Sequence, residues 1–468
     1  MRVERAFRCF SLCFFILFVA LLILLFVLGN EEPRIWTDMD DKTSQDSQRP
    51  EIREPIILWW TDGDDQLNEY LDCGDVRCFV TGNRNLTNDP QTKVFMFYGT
   101  TFKYYDLPLP RKPHHEWALV HEESPMNNFL FSFEEVMTLF NHTSTFRRES
   151  DYPLATQFLK SGEWLASTKH LLSAKEKSIQ SERLKLAPVI FVNTDCGTGS
   201  DRDGYVQLLM KYVQVDSYGL CQHNRDLPQS LRDPLENMLD DEFFQLIAKY
   251  KFAIAIENAI CEDYVTEKLW RPLHVGTIPI VLGSPRIKDL LPSNKSAIVV
   301  DDYDSVEDIA RYINYLDSND EEYDQYFNWK KTGITNDYLL KLLAARDWEV
   351  DYGPDVKGKD FFEGFECFVC RRVHENIRRE KDGKDPLRYQ AALNHYGCPA
   401  PVKVNDKGQR TLENHIFMES FTKHKYLAKA LQYHLDKNLL VDEESIQQTA
   451  DKISKTQGSL QHKRQSSV

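Results

Sequence analysis

The sequence predicts an α/β protein of two lobes with a cleft between them, preceded by a single N-terminal transmembrane helix. Three observations predict it. The first is an uncharged apolar run from Phe10 to Leu28. The second is a series of short apolar runs that alternate with helix-like segments, the pattern of parallel sheets covered on both faces. The third is a charged stretch, ENAICEDYVTEKLW (257–270), directly after the apolar run FAIAI (252–256). A length of 468 residues at 42% hydrophobic content allows two domains with a core in each. A formal net charge of -15 repels a phosphate backbone, so no nucleic-acid partner is expected.

At 1.5 Å per residue, Phe10–Leu28 is about long enough to span the roughly 30 Å hydrocarbon core of a bilayer. Arg2, Arg5 and Arg8 precede it, and Glu31, Glu32, Asp38, Asp40 and Asp41 follow, so the N-terminus is expected in the cytosol and the remainder in a lumen. The run exceeds an ordinary signal-peptide core and no small-x-small cleavage site is clear after Leu28, which favours a retained signal anchor. Residues 1–9 are then a cytosolic tail and 29–54 a polar, acidic stem. Eight of the ten cysteines follow the anchor, an even number suited to an oxidising compartment, while Cys9 and Cys13 sit at the bilayer edge. Sequons at Asn85, Asn141 and Asn294 agree. The expectation is a single-pass type II membrane protein of the Golgi or endoplasmic reticulum.

Folded sequence begins at PIILWW (55–60) and continues through KVFMFYG (93–99), EWALVHEE (116–123) and a helix-like TQFLKSGEWLAS (156–167), which bounds a first lobe at 55–172. The charged segment 173–186 reads as a linker. A second lobe, 187–352, carries strands at PVIFVN, VDSYG, FAIAI, TIPIVLG and SAIVVDD, with helices from about Tyr205 and Val265. Another helix opens at Ser305-Val-Glu-Asp308, a capping-box-like start. Residues 353–468 form an irregular, polar extension interrupted by FFEGFECFVC.

Ligands of such folds bind outside the carboxyl ends of the strands, where ENAICEDYVTEKLW lies. A helix N-terminus offers amide donors and a partial positive charge, and Lys268 in its first turn adds a full one, so a diphosphate fits. Glu267 points elsewhere around the helix and can accept hydrogen bonds from ribose hydroxyls. Glu257 and Asn258 end a buried strand facing the same crevice, and Tyr264 sits in the connecting loop.

The stretch YKFAIAIENAICEDYVTEKLWRPLHVGTIPIVLGSP (250–285) resembles the signature of the alpha-1,3-fucosyltransferases, glycosyltransferase family ten. The resemblance runs from about Pro55 to Cys370. The wording HEESPMNN, SDRDGYV, VDSYG and GFECFVC is nearest the divergent animal branch of fucosyltransferases ten and eleven, which is similar to protein O-fucosyltransferases. It implies a GT-B fold of two Rossmann-like lobes, the first for acceptor and the second for GDP-fucose. By the same resemblance Lys268 contacts the diphosphate, Glu267 the ribose, and Asn258 with Tyr264 the sugar-diphosphate region. Arg202, in the loop after the first donor-lobe strand and next to Asn193, matches a phosphate-binding arginine.

Inverting transfer from GDP-β-L-fucose needs a base for the acceptor proton and cations for the departing diphosphate. The side-by-side Glu122 and Glu123 raise each other's pKa, strand alternation sends one of them into the cleft, and the family pattern Glu-Ser-Pro selects Glu123. Glu122 is expected to cap the turn before Pro125. His114 and His115 are expected in a surface loop and Asp62-Gly-Asp64 is not expected to bind manganese, so neither metal nor cofactor is expected. Arg147-Arg148 matches a family element that shapes the cleft floor or forms a surface turn. The resemblance also implies that Cys367 and Cys370 bond back to Cys73 and Cys78, leaving three possible pairings among Cys196, Cys221, Cys261 and Cys398. The expected acceptor is Ser or Thr of a secreted or membrane glycoprotein. The alternatives are GlcNAc of an N-glycan and an inactive binding protein.

Overall fold

The structure, a computed structural model, describes residues 52–61, 67–232, 237–350, 359–412 and 415–465. The expected anchor, the stem before residue 52 and Asp62-Gly-Asp64 lie outside these residues. No helix among the described residues is long and apolar enough to cross a membrane.

Two mostly parallel sheets form, as the alternating pattern predicts. The first has six strands in the order β2-β3-β1-β4-β5-β6: β1 (Ile56–Trp59), β2 (Asn68–Asp72), β3 (Arg77–Thr81), β4 (Thr92–Tyr98), β5 (Glu116–His121) and β6 (His142–Thr145). Only β2 runs antiparallel, hairpinned to β3 at the sheet edge. Four of its five residues are exposed, the usual composition of an edge that must not recruit another strand. The second sheet is wholly parallel in the order β11-β10-β9-β7-β8: β7 (Val189–Asn193), β8 (Val215–Gly219), β9 (Phe252–Ile256), β10 (Ile278–Leu282) and β11 (Ile298–Val299). The strands IILW, FAIAI and IPIVL are buried at every position, so apolar side chains on both faces are covered.

Three segments differ from expectation. The charged stretch 173–186 is a helix, Ala174–Leu184, started by a capping box between Ser173 and Glu176. It docks on the second lobe through buried Lys177, whose ammonium donates to the carbonyls of Ala248 and Tyr250 and to Thr277 Oγ1. Between 156 and 167 only Gly162–Ala166 is helical, because Ser161 caps there and accepts from Trp164 N. The described part of the extension is folded against the lobes: Phe361–Lys381 is a 21-residue helix on the first sheet, and the helix Met418–Asp436 packs Leu427, Ala428 and Leu431 into that lobe's other core.

Cys367 and Cys370 share one helix face and bond to Cys73 and Cys78 respectively, as the resemblance implies. The remaining cysteines pair as Cys196–Cys221 and Cys261–Cys398.

The sequons divide. Asn85 and Asn294 are exposed. Asn141 is not free, since its Nδ2 donates to the Tyr389 carbonyl at 2.8 Å, its Oδ1 accepts from Trp117 N at 2.8 Å, and Thr143 is wholly buried. Glycopeptide analysis of protein from a secretory host should find glycan at Asn85 and Asn294 and none at Asn141. An occupied Asn141 would contradict this packing.

Candidate active site

The carboxyl ends of β7, β8 and β9 open onto a cavity of about 480 Å³. Five of the eight catalytic and donor-site residues expected from sequence line it: Asn193, Arg202, Asn258, Glu267 and Lys268. Glu257, Tyr264 and Glu123 do not.

Arg202 opens the helix Arg202–Leu209, which follows the loop after β7. Its side chain is only 1% exposed. Nη2 donates to the Asp195 carbonyl at 2.5 Å, whereas Nε and Nη1 are buried without a partner in the protein. Buried donors left unpaired on a cation are costly, so these two N–H groups are free to donate to an anion in the cavity. Burial lowers its pKa, with Asp195 and Glu257 opposing. Asn258 Oδ1 is also buried without a partner.

The helix Glu267–Val275 begins at Thr266, and Glu257 sets that start. The Glu257 carboxylate accepts from Thr266 N at 2.7 Å and from Thr266 Oγ1 at 2.9 Å, and its Oε2 lies 3.4 Å from Lys268 Nζ. Glu257 therefore supports the helix that carries Lys268 from beneath. Burial works against the Lys268 ammonium, but Glu257 and Glu267 outweigh it and hold its pKa above the ordinary lysine value. Glu267 is also opposed by burial, yet Lys268 and Arg271 pull its pKa down to about 2. It is an ionised acceptor for hydroxyl donors.

Tyr264 is buried in the core of the first lobe, its ring 5.0 Å from that of Phe146. Neighbouring Asp263 accepts from three nitrogens of Arg148, the backbone N at 3.1 Å, Nε at 2.9 Å and Nη2 at 2.6 Å, and Arg148 Nη1 reaches Asp289 at 2.8 Å. Arg147 and Arg286 both contact Glu149 and Glu262. Arg147-Arg148 is thus neither a surface turn nor a cleft floor. It is an ionic clamp between the lobes, and it explains the acidic pair Glu262-Asp263.

After β5, the two carboxylates diverge. Glu122 turns inward and accepts from Tyr98 Oη at 2.8 Å rather than capping the turn before Pro125. Burial, more than its neighbour, raises it to about 7. Glu123 is also raised chiefly by burial. The charges acting on it are Lys268, which lowers it, and Glu267 and Glu257, which raise it, all three from the other lobe. Mutual repulsion of the pair, the expected cause, is secondary.

Residues 52–156 match the family described as "Fucosyltransferase, N-terminal", and 182–385 match "Glycosyltransferase family 10 (fucosyltransferase) C-term". The chain belongs to glycosyltransferase family 10. Among similar family 10 proteins, "GDP-fucose protein O-fucosyltransferase 3" of Gallus gallus is 47% identical over 389 residues, covering 82% of this chain and 80% of that protein. The Homo sapiens protein of the same name is 45% identical with the same coverage. A solved structure titled "Crystal Structure of alpha1,3-Fucosyltransferase with GDP-fucose" aligns with 16% identity and a TM-score of 0.38, over 72% of this chain and 94% of that one.

Several residues that line this family 10 cavity went unnoticed in the sequence. Arg271, one turn past Glu267, holds that carboxylate at 3.0 Å, and His223 and Asp226 follow β8. Their placement after a strand end was the available signal. His115 is buried against Phe95 rather than exposed in a loop, and burial lowers it to about 4. Two groups of His, Cys and Asp side chains come within metal-ligand reach of one another among the described residues. Both are built on disulfides, Cys78–Cys370 and Cys196–Cys221, so their sulfurs are not thiolate ligands.

Proposed function

We propose that this chain is an inverting fucosyltransferase that moves L-fucose from GDP-β-L-fucose to a Ser or Thr hydroxyl of a secretory-pathway protein. The observation that carries the reading is the buried Arg202 guanidinium with two unclaimed N–H donors, in one cavity with Lys268 and Glu267. Arg202 and Lys268 hold the diphosphate, Glu267 accepts from the ribose, and Leu227, Leu231, Met238 and Phe243 offer an apolar end for the base. The acceptor oxygen attacks fucose C1 as the bond from C1 to the phosphate oxygen breaks. Glu123 takes the hydroxyl proton, and GDP leaves with its charge held by the two cations. The names of the relatives at 44–47% identity support a protein acceptor. Residues 10–28 tether the catalytic region as a type II protein of the Golgi or endoplasmic reticulum, and the four disulfides support an oxidising lumen.

The test is incubation with labelled GDP-fucose and two acceptor classes, a folded disulfide-rich domain and a glycan ending in GlcNAc. Label on Ser or Thr is expected. Label on the glycan alone would replace the acceptor assignment, and no turnover with GDP still bound would leave a binding protein. Activity should survive EDTA, because Arg202, Lys268 and the helix end supply the positive charge. Strict manganese dependence would overturn that mechanism.

A further inference from the structure

Residues 386–468 lie outside both matched spans, yet side chains and backbone of 391–412 and His415 touch the loops that carry each half of the chemistry. Tyr396 is wholly buried and donates from Oη to the backbone carbonyl of Glu123 at 3.0 Å. Its ring stacks on His121, the last residue of β5, at 5.0 Å and 16°, and meets Phe146 at 5.0 Å. Two residues on, Cys398 is bonded to Cys261 in the loop between β9 and the helix of Lys268. Val402 N then donates to the Gly199 carbonyl at 2.9 Å, and Val404 N to Asp201 Oδ2 at 2.8 Å, with Lys403 Nζ 3.1 Å from the same oxygen. His415 Nε2 lies 2.9 Å from the Thr198 carbonyl.

Asp201 immediately precedes Arg202 and has φ of +51°, a left-handed conformation that a side chain disfavours. As the residue before the helix it makes no capping bond to it. Its carboxylate is instead committed to Lys403 and Val404. The backbone turn that aims Arg202 is therefore held from outside the family 10 spans. At the other end, the main chain that delivers Glu123 is held by the Tyr396 phenol, beside Gln157 Nε2, which donates to the Glu122 carbonyl at 2.9 Å.

We infer that residues 391–412, with His415, are a strap that sets the position of Glu123 against Arg202 across the cleft, acting through Tyr396 at one end and through its hold on Asp201 at the other. The inference rests on the reading of Glu123 as the base. Tyr396 does not touch the reacting atoms. Its hydroxyl fixes where the carboxylate begins, and a displacement of about 1 Å in a reacting group can cost 100-fold in rate.

Two variants test the strap. Tyr396→Phe keeps the ring stack and removes only the hydroxyl, and should lower kcat about 10-fold while the KM for GDP-fucose stays within about twofold. Asp201→Gly adopts the positive φ freely and loses the strap contacts, and should raise the Kd for GDP about 10-fold with a smaller change in kcat. A split in which one variant loses kcat and the other loses donor affinity is what a merely structural role would not produce. Wild-type kcat in Tyr396→Phe, or a loss matched by an equal loss of folded protein, overturns the positioning of Glu123. Wild-type GDP affinity in Asp201→Gly overturns that of Arg202. Glu123→Gln is the reference: if it retains activity, the reading of the base fails and the inference with it, whereas an inactive Glu123→Gln beside wild-type strap variants overturns the strap alone.

Discussion

Glu123→Gln should lower kcat by about 10³, within the range expected for loss of a positioned base, while GDP still binds. The substitution preserves shape and removes both the proton-accepting capacity and a negative charge that acts on Lys268. Donor affinity should therefore hold or improve, so that the loss falls on turnover. The pH profile gives a second check. The base must be ionised, and burial raises its pKa, so activity should fall as pH drops through a value above the ordinary glutamate range. A variant with more than a tenth of wild-type turnover, or an acid limb at the ordinary carboxylate value, would remove Glu123 from this role.

For Arg202→Met, kcat/KM should fall by about 10²–10³, the loss typical of removing a donor to developing anionic charge. The same variant should be at least as stable as the parent without ligand. Its apolar chain replaces a buried guanidinium whose Nε and Nη1 have no partner. GDP should then raise the melting temperature of the parent and leave that of the variant almost unchanged. Arg202→Lys should recover little, since one ammonium cannot hold Asp195 and also present a planar fork to phosphate. A marked loss of stability in Arg202→Met would show that the guanidinium serves the fold rather than the ligand.

The strands that frame the site were legible because two-sided burial leaves an unbroken apolar run, as in FAIAI and IPIVL. Lys268 and Glu267 were legible because they open a helix beside Glu257-Asn258 at the carboxyl end of such a strand and stand in the stretch that resembles the family signature. Glu257 was singled out as facing the crevice, but its supporting role was not legible, since only the fold shows its carboxylate turned back onto Thr266. The helix at 174–184 had its signal in Ser173-x-x-Glu176, which was outweighed by the charge of the segment. No local pattern could announce the clamp of Arg148 on Asp263 or the bond from Tyr396 to Glu123, because their partners lie 115 and 273 residues apart. The pairing of Cys261 with Cys398 was beyond reach for the same reason.

The crosslinks also dictate an order of manufacture. Cys196 and Cys221 are 25 residues apart and can join almost as soon as both are made. Cys73 and Cys78 need partners 294 and 292 residues later, an interval of roughly 15–60 s at ribosomal speed. For that time the first lobe is made but unsealed, its two thiols only a hairpin turn apart and free to join each other. A nascent chain that stops short of Cys367 can never correct that mistake, so the integrity of the N-terminal half is certified by residues near the other end.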